Sequence, residues 1–395
     1  MAAALLTRSL LIACCVTLLV SCATPPEREL STQRNRYATL PNGHDPLHPE
    51  QLVQGHEHNG DIARIGSIRY FEKELGRPLN ILEISGGGQN GAFGAGVLKG
   101  WTETGARPRF DIVTGVSTGA LTATHAFLGT PADDEVLERL FTNVDKSDIY
   151  VRRNILFEIL LGGESVVSTE PLRQLIASVI TKEVLQRVAA EYKKHRSLWV
   201  GTTNLDYSQT WAWNLSAIAA EGGPEALELY RSILLASASP PAVFPPVEIE
   251  GHLFADGMVR ANLLVAGLSG QHKPPPPPYG PGTIWVIING KGEAVPKAIP
   301  NNVLNVSAAS LGQMMDGFTN ALMLRSFIAA RAHGYHFRLL EIPPDTAIGS
   351  NPLAFNPEQM RAGFDAGYAL GRDPNSWSKK PHASGDVPRW ASQGF

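Results

Sequence analysis

Cysteine is nearly absent from this chain: its 395 residues include three, Cys14, Cys15 and Cys22, all at the N-terminal end. A body without cysteine has no disulfide framework, no thiol nucleophile and no Cys-ligated metal. An excess of charge of one sign is lacking too. With 34 Lys and Arg against 37 Asp and Glu, the formal charge is −3, which gives no electrostatic case for nucleic acid as a partner. There is no internal repeat of solenoid period. What remains, 43% hydrophobic and 18% charged residues, is the composition of a globular protein with a substantial core.

The apolar run Leu10–Val20 follows Arg8 and is too short to span a bilayer comfortably. With Leu19-Val20-Ser21-Cys22 it resembles a bacterial lipoprotein signal peptide. The resemblance implies removal of residues 1–21 and diacylation of Cys22, which becomes the new N-terminus and joins the protein to a membrane. Ala23 in place of Asp after that cysteine fits retention in the outer membrane, so the expected location is the bacterial cell envelope. Residues 22–60, polar and rich in Pro, His and Asn, read as a flexible tether. A folded domain is expected over 61–372 and a polar tail over 373–395.

Within that domain Ile62–Leu75 reads as an amphipathic helix and Leu79–Ile84 as a buried strand. A glycine-rich turn, Gly86–Gly91, leads into a helix over Ala92–Thr102. The pattern repeats at once, with a strand at Phe110–Val113, a turn around Ser117 and a helix to Leu128. Two such units argue for an α/β fold with a largely parallel sheet. Farther on, Asp133–Thr142, Pro171–Tyr192, Glu225–Ser237, Val303–His333 and Pro357–Leu370 carry helical periodicity. Ser197–Thr203, Thr210–Ile218, Thr283–Ile288 and Phe337–Ile342 read as strands, and Ala236–Pro246 as a proline-rich loop. Ile155–Leu161 is apolar, either core or a lipid-facing cap. Lys273 followed by Pro274–Pro278 reads as a stiff surface loop.

Gly115-Val116-Ser117-Thr118-Gly119 is the pattern of a nucleophile elbow, a tight strand-to-helix turn that presents a serine hydroxyl. Gly86-Gly87-Gly88-Gln89-Asn90-Gly91 also fits a dinucleotide-binding turn, with Asp111 at about the spacing of a ribose ligand. Asp111, however, sits at the start of the second strand, where a ribose ligand should stand at its carboxyl end. Ser117 occupies that end instead. Three glycines at a helix N-terminus on the same sheet edge supply a nest of N–H donors for an oxyanion. The nucleophile also needs a base. His252, His272, His333 and His336 are available without an obvious context, whereas Asp256, in Phe254-Ala255-Asp256-Gly257, could act on the serine directly.

In this order, Gly86–Gly91, Gly115–Gly119, Ala236-Ser237-Ala238-Ser239-Pro240 with Phe244-Pro245, Asp256-Gly257 and Asn262 resemble the motifs of the patatin-like phospholipases, over about Ile81–Ser269. The resemblance implies a three-layer α/β/α sandwich and a Ser117–Asp256 dyad without histidine. It also implies Gly86, Gly87 and Gly88 as the oxyanion hole, with Gly91, Gly115, Gly119, Gly257 and Asn262 in support. The expected activity is hydrolysis of lipid or acyl-ester substrates, with no cofactor and no metal. Two departures stand out: Asn90 where the family commonly has Arg or Lys, and Met258 where it has a small residue. The alternatives are a non-catalytic envelope lipoprotein of the same fold and a dinucleotide-dependent oxidoreductase. If Ile155–Leu161 is an interfacial cap, replacing Leu160 and Leu161 with Asp is expected to weaken turnover of vesicle lipid more than that of a soluble ester; equal losses on both would reject the cap.

Overall fold

A computed structural model describes residues 28–40, 72, 75–152, 167–241, 243–264, 279–292, 298–349 and 351–382. The signal peptide with Cys22, most of Ile62–Leu75, the stretch Ile155–Leu161 and the Pro274–Pro278 run lie outside them. The elements begin with β1 (Ala38–Thr39), β2 (Asn80–Ile84), α1 (Gly91–Glu103), β3 (Ile112–Val116), α2 (Thr118–Leu128), α3 (Pro131–Thr142) and α4 (Lys146–Ile149). A small ribbon, β4 (Val151–Arg152) with β5 (Val167–Ser168), precedes α5 (Glu170–Val179) and α6 (Lys182–Tyr192). Then come β6 (Ser197–Asn204), β7 (Gln209–Asn214), α7 (Leu215–Glu221), α8 (Gly223–Ser237), β8 (Val247–Ile249) and β9 (His252–Asp256). The chain closes with β10 (Thr283–Lys291), α9 (Val303–His333), β11 (His336–Ile342) and α10 (Pro357–Arg372).

Among the described residues nine strands form one sheet, in the order β1-β7-β6-β3-β2-β10-β11, with β9 beside β6 and β8 beside β9. From β6 to β11 neighbouring strands are parallel; β1, β7, β8 and β9 pair antiparallel. The central strands are apolar on both faces because helices cover both. Leu82, Ile84, Val113, Leu198 and Val200 point into one core with Phe93, Val97, Phe127 and Phe364. Ile81, Ile112, Trp199, Ile284 and Val286 point into a second with Leu322, Met323, Phe327 and Ala330 of α9. The protein is therefore a three-layer α/β/α sandwich on a largely parallel sheet.

Some expectations shift. The strand expected over Thr210–Ile218 stops at Asn214, whose Oδ1 accepts the Ala217 N–H at 3.0 Å and starts α7 as its N-terminal cap. Pro171–Tyr192 divides into α5 and α6, the second capped by Thr181. The strand expected at Phe110–Val113 runs instead over Ile112–Val116, right up to Ser117. Residues 28–40, expected within the tether, lie against the domain: β1 pairs with β7, Tyr37 and Ala38 are buried, and Arg28 pairs with Asp206 at 2.8 Å. The tail beyond residue 373 likewise starts inside the fold, with the Trp377 ring 4.6 Å from Trp101 and 4.9 Å from Trp285.

The helix that follows the glycine turn is held by α10 at very short range. Cβ atoms added at Gly96 and Gly100 of α1 would strike the carbonyl oxygens of Phe364 and Tyr368, and at Gly367 and Gly371 of α10 those of Phe93 and Val97. The backbones touch because no side chain separates them. Gly96→Ala is expected to lower unfolding stability by about 1–3 kcal/mol, since the helices must part to admit the methyl group. Urea denaturation checks this, and an unchanged midpoint would contradict the close packing.

Candidate active site

The site forms where two strands share one flank of β6. β3 pairs with β6 from Ile112↔Ser197 to Val116↔Gly201, and there it ends. β9 approaches the same flank from the opposite direction, with Asp256 opposite Thr202. The residue leaving β3 is Ser117 and the residue ending β9 is Asp256, so the register brings the two together.

Ser117 sits in the turn at φ 54°, ψ −125°, a conformation seldom taken by a residue with a Cβ. Its hydroxyl donates to Asp256 Oδ2 at 2.6 Å, and both residues are buried. The flanking glycines are required for space. A Cβ at Gly115 would lie 2.7 Å from the Gly119 carbonyl carbon, and one at Gly119 would lie 2.6 Å from the Ser85 carbonyl oxygen. α2 starts immediately after the serine, so the positive end of its dipole faces the hydroxyl.

Asp256 is fixed on all sides. Its Oδ1 accepts the Met258 N–H at 2.8 Å, its N–H donates to the Ser239 carbonyl at 2.8 Å, and its carbonyl accepts the Thr203 hydroxyl at 3.0 Å. Gly257 lies against the Gly201 carbonyl and Val116, where a Cβ would have no room. Burial pushes the carboxyl up from 3.8 to about 7, opposed by the Ser117 hydroxyl and the Met258 amide.

The glycine turn lies directly beside the serine, since a Cβ on Gly86 would come 2.8 Å from Ser117 Cβ. The three amides expected as oxyanion donors are not equivalent. Gly86 N–H donates to Asn262 Oδ1 at 2.6 Å, and Asn262 Nδ2 donates to Thr319 on α9 at 2.8 Å. That amide is therefore committed to holding the loop, which corrects the expectation for Gly86. Among the described residues Gly87 and Gly88 donate to no protein acceptor, and Gly88 adopts φ 58°, where a Cβ would be strained. Gly91 packs its Cα against Thr118 and Phe141, joining the starts of α1 and α2.

Two supports were not evident from the sequence. Asn289, at the carboxyl end of β10, donates its N–H to Ser85 Oγ at 2.8 Å and its Nδ2 to the Ser85 carbonyl at 2.7 Å. Its Oδ1 accepts the Gly94 N–H at 3.1 Å. Gln89 is buried; its Nε2 donates to the Asn351 carbonyl at 3.1 Å and to Gln359 Oε1 at 2.9 Å, and its Oε1 accepts the Asn356 N–H at 2.9 Å. Its own N–H donates to the Pro352 carbonyl at 2.7 Å. The position of Asn289 at the same sheet edge was a readable signal; the partners of Gln89, more than 260 positions away, were not.

The remaining candidates lie elsewhere. His252 is buried with Nε2 2.9 Å from the Gln33 carbonyl. His333 closes α9 and His336 opens β11, at the sheet edge opposite Ser117; His272 is outside the described residues. Asp111 precedes β3 at that opposite edge and is paired with Arg77 at 2.5 Å, which removes it as a ribose ligand. Asn90 ends a short 3-10 turn before α1, and Met258 packs its thioether over Gly86.

Residues 82–268 match the family model of patatin-like phospholipase. No curated protein sequence matches the chain. Among solved structures it is similar to VipD from Legionella pneumophila, at 14% identity and a TM-score of 0.41, over 74% of this chain and 66% of that one. It thus spans slightly less than two thirds of VipD.

Asp256 makes stability depend on pH in a defined direction. The unfolded carboxyl loses its proton near 3.8, while the folded one keeps it to about 7. Between those values the folded state binds the additional proton, so stability falls as pH rises from about 4 to about 7 and is level above. Asp256→Asn removes a cost on the order of 4 kcal/mol at pH 8. The variant is expected to melt above the wild type at pH 8 and to lose that advantage at pH 4. Thermal melts at the two pH values decide it, and a pH-independent difference would rule out the burial argument.

Proposed function

From the patatin-like phospholipase match over residues 82–268, we propose that the chain is a serine hydrolase of lipid acyl esters, working through Ser117 and Asp256 without histidine. The observation that carries the reading is the 2.6 Å hydrogen bond from Ser117 to a carboxylate buried to a pKa of about 7. An ordinary aspartate is too weak a base to take a proton from an alcohol, whereas one at that value matches the basicity of an imidazole.

In the first half-reaction Ser117 Oγ attacks the ester carbonyl carbon as its proton passes to Asp256 Oδ2. The oxyanion is held by the N–H groups of Gly87 and Gly88, with the start of α2 adding its field. Collapse of the tetrahedral intermediate breaks the ester C–O bond, and the leaving alcohol takes the proton from Asp256. Water then gives its proton to Asp256 and attacks the acyl-serine. The second collapse releases the fatty acid and returns the proton to Ser117. Met258, packed over Gly86, narrows the approach to the carbonyl, and the uncharged Asn90 gives no cation for a phosphate. Diacylation of Cys22 and attachment to the outer membrane belong to the same proposal, placing the hydrolase beside its substrate.

Purified chain is expected to release 4-nitrophenol from medium-chain esters, with kcat/KM rising through a midpoint near pH 7. Ser117→Ala and Asp256→Asn should each lower kcat by about 10⁴-fold with the fold intact. A fluorophosphonate should label Ser117 covalently. Full activity of Asp256→Asn would refute the dyad, and an unreactive Ser117 would leave the fold as a binding protein.

A further inference from the structure

Ser237 is the last residue of α8 and fully buried. Its hydroxyl accepts the Ser117 N–H at 2.9 Å and donates to the Gly201 carbonyl at 2.7 Å. The ladder between β3 and β6 gives these two bonds their meaning. Ser197 N–H donates to the Asp111 carbonyl at 2.8 Å, and Ile112 is opposite Ser197. In a parallel pair bonding residues alternate along each strand, so Ser197, Trp199 and Gly201 are those that bond to β3. The next rung would run from Ser117 N–H to the Gly201 carbonyl. In its place the Ser237 hydroxyl stands between the two groups.

The inserted hydroxyl solves two problems at once. It lets Ser117 leave the strand for its positive-φ turn while its N–H stays paired, since a buried orphan donor would be costly. It also keeps β3 from closing onto the stretch of β6 that β9 needs, where Gly257 already abuts the Gly201 carbonyl. Two residues on, the Ser239 carbonyl accepts the Asp256 N–H at 2.8 Å. The end of α8 therefore fixes the main chain at both Ser117 and Asp256.

We infer that Ser237 is a positioning residue, a hydroxyl spacer in the β3–β6 ladder that sets the aim of the Ser117 side chain at Asp256. The inference rests on the hydrolase reading above. Without the spacer, Ser117 N–H would close directly on Gly201 and pull the nucleophile toward the sheet.

The test compares full-length wild type, Ser237→Ala, Ser237→Cys and Ser216→Ala. Ser216 is a control of the same kind, buried and bridging the Leu198 N–H at 3.1 Å and Asn214 Oδ1 at 2.6 Å without touching Ser117 or Asp256. Ser237→Ala is expected to lower kcat on a soluble ester, and the fluorophosphonate labelling rate at Ser117, by about tenfold to a hundredfold. KM should stay within about twofold, because only the reacting geometry is disturbed. The pH midpoint should not move, since Ser237 does not touch the carboxylate. Ser237→Cys, which keeps the volume and a weak acceptor, should fall between alanine and wild type and carries the test if the alanine variant does not fold. Alanine reacting at the wild-type rate, cysteine no faster than alanine, a moved pH midpoint, or a loss no greater than that of Ser216→Ala would each overturn the assignment. A wild type that does not label at Ser117 would instead overturn the hydrolase reading, and this inference with it.

Discussion

The flank of β6 that β3 and β9 share is the constraint on which the site depends. A strand has two edges, and β6 uses one for β7 from Trp199 to Asn204. On the other edge β3 must stop at Gly201 so that β9 can begin at Thr202. The candidate dyad lies at that handover: the turn of Ser117 and the carboxylate of Asp256, with the Gly257 Cα pressed on the Gly201 carbonyl. A strand longer by one residue on either side would displace one member of the pair.

The handover is energetically unfavourable in itself. Ser117 is in a strained conformation, and Asp256 is buried with no cation beside it among the described residues. Such costs persist only where surrounding packing over-determines them. Here the surroundings are two apolar cores on opposite faces of the sheet, together with glycines that let backbone meet backbone at α1 and α10. The same burial that destabilises the ionised carboxylate raises its basicity, so stability and basicity oppose each other at this residue.

The support for the site extends well beyond residues 82–268. Asn289 on β10 holds Ser85, Thr319 on α9 holds Asn262, and the segment Asn351–Gln359 holds Gln89. The glycine turn is thus braced from three later parts of the chain. Residues 28–40 add a strand to the far edge and tie down His252.

By itself the sequence determined the local events. Hydrophobic runs between glycines set the strands and the α/β class, because buried parallel strands must be apolar on both faces. Gly115 and Gly119 marked the turn at Ser117, because no other residue fits against those carbonyls. Even so, the Asn214 cap and the docking of residues 28–40 escaped a reading by composition. Asp256 could be named but not distinguished on chemical grounds from an ordinary Asp-Gly turn; its role was only implied by the resemblance to a family. What only the tertiary structure decided was the pairing across distance. It placed Asp256 beside Ser117, gave the Gly86 amide to Asn262, left those of Gly87 and Gly88 free of acceptors among the described residues, and set Ser237 between Ser117 and Gly201. Those outcomes follow from strand register and from which carbonyl faces which amide, and register is a property of two strands at once, written in neither alone.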